Sequence, residues 1–391
     1  MAFLSRKSAA IYVTAESVEG TAVDPSVDDD SISVNVDGFE VNGDKELVER
    51  NVLRSSIGKV NGRTSIKTSS ISLSMEAAAN IVEGSAPEND LLLKSLLGGK
   101  RQITVEVTSG VGSTASVINI DDADIGNFNR GDIVVIKEAG AYHVSPISEV
   151  DSSVGSANIT LLIPADTSIG DGATIGKATT YFGADSGHSS LTITNYFEDA
   201  IKLQATGVKV ASMSLDNFST GQIPSFSFSG NGLGYEESVE ENVLDQGNRS
   251  AEPPLALEAC VYMDGTRITV TDVSLSVDNT LGRITSTCEA NGVKSQLTSG
   301  RAVSGSFTTY MDSADVNIFD KFDANSKFSL FLRAQNPTAV AGESKEHVGI
   351  YLPSCLITAQ PKGDADGVIT ISVDFEAGLD DNEEDIFIGF I

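Results

Sequence analysis

The chain has 391 residues, 40% of them apolar, with 26 basic against 55 acidic side chains and a formal net charge of −29. That length allows two to three domains with real cores, and the charge excludes an electrostatic grip on nucleic acid, which needs a basic surface to displace counterions. No apolar run is long enough to span a membrane, and the start MAFLSRKSAAIYV lacks a signal peptide's continuous apolar stretch and cleavage site, so synthesis and folding in a cytoplasm are expected.

Residues 1–30 read as an N-terminal arm: a short strand over Ala9–Val13, then a polar stretch with Pro25 and the acidic run Asp28–Asp30. Ile32, Val34 and Val36 alternate as a first strand within 31–41, and Ile71, Leu73 and Met75 as another. Between them the segment 43–65 is long, glycine-studded and of mixed charge. Its Glu46, Glu49, Arg50, Arg54, Lys59 and Arg63 suit either a contact with another subunit or a solvated loop. A helix is predicted over Pro87–Leu97, with Leu92, Leu93, Leu96 and Leu97 on its apolar side and Gly98-Gly99 closing it. Ile103, Val105 and Val107 alternate as the next strand.

Residues 109–186 have a β rhythm of their own: Gly131-Asp132 enters the apolar run Ile133–Ile136, a turn follows at Gly140, and Ile159–Ile163 comes after it. We read this as a small inserted β-barrel carried on the outside. The first unit then resumes over 187–235, ending in the hairpin that starts at Val208. The polar stretch 236–254, ending in Pro253-Pro254, is a linker.

Over 255–379 the same order recurs. Val303, Phe307 and Met311 alternate as a strand, Asp315 stands as the N-cap of a helix bearing Val316, Phe319 and Phe322, Phe328–Leu332 is a buried strand, and a hairpin starts at Ile350. The order strand, helix, strand, hairpin is thus written twice. It predicts a mainly β chain of two tandem sandwich or barrel modules, each with a short flanking helix. The tail 380–391 is acidic and then apolar. Ile386, Phe387, Ile388, Phe390 and Ile391 call for burial against this or a neighbouring subunit.

Signals for chemistry are poor. His143, His188 and His347 lie in separate segments without zinc spacing. Cys260, Cys288 and Cys355 read as small buried hydrophobes. Gly230, Gly232 and Gly234 lack the ending of a phosphate loop. Asp122, Asp124 and Gly126 resemble half of a calcium loop without its final glutamate, and Asp364, Asp366 and Gly367 read first as a turn. Arg130-Gly131-Asp132 spells an adhesion tripeptide but also a turn entering a strand. No catalytic, cofactor or metal residue is assigned.

Several segments are similar to the tail tube (major tail) proteins of long flexible-tailed, siphovirus-type bacteriophages. KSAAIYVTAESVEGTAVDP resembles their N-terminal segment, with Glu16, Gly20 and Thr21 in the matching places; DLLLKSLLGG resembles the first-half helix and VKVASMSLDNFSTGQIPSFSFSGNG the hairpin after it. AVSGSFTTYMDSADVNIFDKFDANSKFSLFLRA and IYLPSCLITAQP resemble the second half. The resemblance implies a structural virion protein without cofactor whose rings stack into the tail tube, a conduit for the genome. A duplicated chain would make pseudo-hexameric rings from three copies. Implied partners are other copies of itself, the tape-measure, tail terminator and tail-tip proteins, and double-stranded DNA passing without specific binding. The competing readings are a surface adhesin and a carbohydrate-active enzyme on a β scaffold.

Overall fold

The computed structural model describes residues 9–26, 30–55, 57–198, 200–244, 247, 251–289, 291–311, 316–335, 347–365 and 367–391. Asp315, Asp28 and Asp366 of the expectations above lie outside these, as do residues 1–8. The described chain is mainly β, with two short α-helices, Asp90–Leu97 and Val316–Asp323. Most strands join one large curled sheet, and a six-stranded sheet stands apart from it.

The large sheet repeats itself. In the first half Ala9–Ala15 pairs with Leu191–Phe197, which pairs with the long strand Ile201–Ser219, then Ser225–Gly232, then Arg63–Glu76, then Phe39–Val48. In the second half Leu255–Met263 pairs with Phe328–Gln335, then His347–Ala359 and its continuation Lys362–Ala365, then Val368–Ala377, then Val293–Tyr310, then Val270–Thr285. Every neighbour relation in the first of these two series recurs in the second. Even a bulge is shared: the register slips between Val210 and Ser212 in one half and between Ile357 and Ala359 in the other. Such an extra residue bends its strand, which lets Ile201–Ser219 serve two parts of the curled sheet. Alternation supplies the core: Phe226 and Phe228 point inward from Ser225–Gly232, and Phe307 and Phe375 meet with centroids 6.2 Å apart in the second half.

Several boundaries differ from those expected. The counterpart of Phe328–Gln335 is Leu191–Phe197, not the run 98–107. Gly98–Ile103 follows the first helix at once and pairs with Ala178–Gly183, so these two strands form the stem from which the intervening segment hangs. The six-stranded sheet spans Val107–Thr108 to Thr174–Ile175. Residues 178–183, expected inside the insert, therefore belong to the large sheet. Val105 is exposed between strands. The expected strand at 31–41 is two elements, Ser31–Ile32 and Phe39–Val48, separated by a turn. The long charged loop is shorter than expected because both flanking strands run on into it, leaving 49–62 as the connection.

The two helices differ in cover. Leu92, Leu93, Leu96 and Leu97 are all fully buried, as their spacing predicts. In the second helix Ile318 takes the buried place, and Phe319 and Phe322, expected on the apolar side, are 53% and 40% exposed. The difference lies in what packs on each: the first helix lies against Ile201–Ser219 and the two stem strands Gly98–Ile103 and Ala178–Gly183, which have no counterpart at the second helix, and the Asn279 amide of Val270–Thr285 donates to the Leu96 carbonyl at its end at 2.7 Å.

Candidate assembly surface

The first half carries its second-half neighbour on a strand-to-strand joint. Ile201–Ser219 and Val270–Thr285 pair antiparallel, Ser212 facing Asp278 and Leu215 facing Leu275. A buried polar cluster fixes the joint. Gln296 donates through its amide to the carbonyls of Gly207 (3.3 Å) and Asn231 (3.0 Å), while Lys209 Nζ donates to the Gln296 carbonyl at 2.6 Å. Glu19 accepts the Gln296 backbone N–H at 2.6 Å and lies 3.5 Å from Lys209. Beside it Glu16 accepts from the Gly20 and Gly207 N–H groups and the Thr192 hydroxyl, all within 2.8 Å. The arm that reads as coreless in sequence is thus docked: its strand Ala9–Ala15 pairs in the large sheet, Glu16 gathers three donors, and Asp24 accepts from Lys202 at 2.5 Å and Gln204 at 2.9 Å. Nothing in the spacing of Lys209 and Gln296 singles them out, because their partners are backbone groups from distant segments.

The charged candidates occupy the far end of the hairpin Phe39–Val48/Arg63–Glu76. Glu46, Glu49, Arg50, Arg54, Lys59 and Arg63 are all exposed. Glu49 and Lys59 pair at 2.6 Å with both side chains about 70% exposed, a geometry that adds little stability, and Glu46 reaches Arg283 at 4.0 Å. Leu47, Val48, Val52, Leu53 and Ile57 are exposed among them. Five apolar side chains on one projecting finger are more than a solvated loop needs.

The apolar tail is elsewhere. Ile386, Phe387, Ile388 and Phe390, candidates for a contact with this or a neighbouring subunit, are at most 1% exposed within their own chain, so of the two covers expected the chain itself supplies theirs. Phe387–Phe390 is a strand between His347–Ala359 on one side and Ala178–Gly183 on the other. Phe387 stacks on Tyr351 at 5.8 Å, with the Arg101 guanidinium 5.7 Å from its ring. Arg301 clamps Asp385 just before it at 2.6 and 3.0 Å.

Arg130-Gly131-Asp132 is consumed by this same packing. Arg130 pairs with Asp380 and Glu384. Gly131 has φ +82°, and a Cβ there would fall 2.1 Å from the Phe387 ring. Asp132 is 1% exposed, with Arg101 Nε 2.9 Å away but not aligned as a hydrogen bond, and its burial raises the carboxyl to about 6. The adhesin reading loses the tripeptide that supported it.

The other motifs are also occupied locally. Asp122 accepts the Gly155 N–H at 2.7 Å and Asp364 that of Gly367 at 3.3 Å. Among the described residues no three His, Cys, Asp or Glu side chains gather as a metal site. His143 bonds the Ile163 carbonyl, with burial holding its pKa below the usual value. His188 lies against the Ser95 and Ala184 carbonyls. Cys260 and Cys355 are buried, but Cys288 is exposed in a turn, contrary to expectation. Gly230, Gly232 and Gly234 lie in strands where Lys209 and Thr206 carbonyls and the Thr206 hydroxyl come close.

What this geometry offers is an arrangement of sheet edges and a finger. A family model described as phage tail tube protein matches residues 7–377. No curated protein matches the chain.

Proposed function

The chain belongs to the phage tail tube protein family, and from that premise we propose that three copies close a ring of six similar sheet modules and that such rings stack into the tube through which the genome leaves the virion. The observation that carries this is the doubled order of strand pairing, shared bulge included: each copy then counts as two neighbours in a ring. Head-to-tail contacts between identical units close when the rotation divides the circle evenly. A closed ring also covers sheet edges that would otherwise recruit strands at random.

Three copies at −29 each bring −87 to a ring. A lumen that takes part of this charge repels phosphate and leaves double-stranded DNA mobile. Tape-measure, terminator and tail-tip proteins are the expected partners, the tail of the virion the final location, and the host cytoplasm the place of assembly. The small barrel hanging from Gly98–Ile103 and Ala178–Gly183 would stand on the outer wall.

Negative-stain microscopy with mass measurement of single rings tests this. Stacked annuli whose mass equals three chains are expected. Rings of six chains, or particles that never polymerise even on a tail initiator, overturn it.

A further inference from the structure

The joint inside the chain also specifies the joint between chains. Resting on the ring reading above, we infer that the open edge of Phe39–Val48 in one copy pairs with the open edge at 359–365 of the next, in the register that Val270–Thr285 and Ile201–Ser219 use internally.

The correspondence is read residue by residue across each sheet. The row Val41, Ile71, Gly230, Val210 in the first half matches Leu275, Gly305, Phe375, Ile357 in the second. On this frame Asp44 is the counterpart of Asp278, and Ala359, just past the shared bulge, is the counterpart of Ser212. In the chain Ser212 faces Asp278. Between chains Ala359 therefore faces Asp44, and Lys362 faces Val41.

Three features of the surface fit a second copy at this place. First, among the described strand pairings Phe39–Val48 has Arg63–Glu76 alone as partner and Lys362–Ala365 has Val368–Ala377 alone. Their counterparts Val270–Thr285 and Ile201–Ser219 each have a further partner, namely one another. A groove lined by Phe39, Val41, Phe197 and Leu203 runs beside the first edge.

Second, Pro361 does not block the other edge. Its carbonyl accepts the Ser372 N–H of the hairpin partner, so the position that lacks a donor points inward.

Third, the second helix is left partly bare beside this edge. Leu93 and Leu96, the counterparts of Phe319 and Phe322, are fully buried among Ile201–Ser219 and the stem strands of their own half, and Asn279 of the second-half hairpin bonds the Leu96 carbonyl at the helix end. The first-half hairpin of a neighbour would reach the end of the second helix in the same way. It would bring its exposed Leu47 and Val48 to the side where Phe319 and Phe322 are bare. The finger and the uncovered helix are then two sides of one contact.

The test is a cysteine pair, Asp44→Cys with Ala359→Cys, in a Cys288→Ser background that removes the exposed native thiol. Directly opposed residues in an antiparallel ladder have Cα atoms about 4.5–5.5 Å apart, inside the range a disulfide spans. Mild oxidation of assembled rings should carry most chains into a covalently closed three-chain species on a non-reducing gel. Either single cysteine, or Asp44→Cys with the out-of-register Thr358→Cys, should leave them single. Intact three-chain rings that fail to cross-link, or that cross-link better through Thr358→Cys, overturn this register and leave the ring reading standing. Failure of the unmodified protein to form three-chain rings overturns both.

Discussion

Replacing Gly131 by alanine tests how the small barrel and the C-terminal strand are joined. The backbone there has φ +82°, and a left-handed conformation costs an L-residue roughly 1–2 kcal/mol. The added methyl would lie 2.1 Å from Cζ and 2.2 Å from Cε1 of Phe387, well inside contact distance. That ring cannot swing aside freely, because it is fully buried, stacked on Tyr351 and flanked by Arg101. Forcing an extra methyl into such packing typically adds about 1–3 kcal/mol. Gly131→Ala should therefore lose about 2–5 kcal/mol in all. Gly140→Ala is the control. It has φ +81° in the turn between Ile133–Glu138 and Ala141–Asp151 and nothing within 4 Å, so only the strain of about 1–2 kcal/mol applies. Urea unfolding followed by circular dichroism suits a chain without tryptophan. If the two variants lose the same stability, Phe387 does not occupy the space above Gly131 and the account of the tripeptide fails. Adding Phe387→Leu to Gly131→Ala should recover part of the steric share, since it reopens that space.

Asp132→Asn should alter the pH dependence of stability. Burial raises the folded-state carboxyl from 3.8 to about 6, so its contribution is present below about pH 4 and is lost as pH rises through about 6. The stability of the wild type relative to the asparagine variant should fall by about 2 kcal/mol between pH 4 and pH 7, read from urea midpoints; a flat difference refutes it. Gln296→Ala should cost about 1–3 kcal/mol by leaving the buried Gly207 and Asn231 carbonyls without their donor, and an unchanged midpoint would remove Gln296 from the joint.

The repeated order of elements was legible because it rests on local alternation: Ile71, Leu73 and Met75, or Phe226 and Phe228, announce strands by period alone. The helix at Leu92–Leu97 was legible for the same reason. What alternation does not encode is which strand pairs with which. Gly98–Ile103 directly follows a helix, as Phe328–Gln335 nearly does, so the two looked equivalent, although the insertion stem had displaced the true counterpart to Leu191–Phe197. The tail shows a second limit. The apolarity of Ile386–Phe390 demanded burial, yet only the pairing with Ala178–Gly183 reveals that the chain supplies the cover itself. Lys209, Gln296 and Glu19 gave no sign at all, since their partners lie far away along the chain. Phe319 and Phe322 have the spacing of core positions, yet they are largely exposed, because the second helix lacks the stem strands that pack on the first.

The way the small barrel is mounted has a mechanical consequence. Its Ile133 lies against Gly349 and Gly389 of the large sheet, and its core is continuous with Phe331, Tyr351 and Phe387. No hinge separates the two bodies: bending one against the other would open a void that dense interiors resist. On a stacked tube each barrel would behave as a fixed fin, holding one azimuth relative to its ring. A row of such fins would trace the helical pitch of the whole filament, and any torsion applied at a fin would pass straight into the tube.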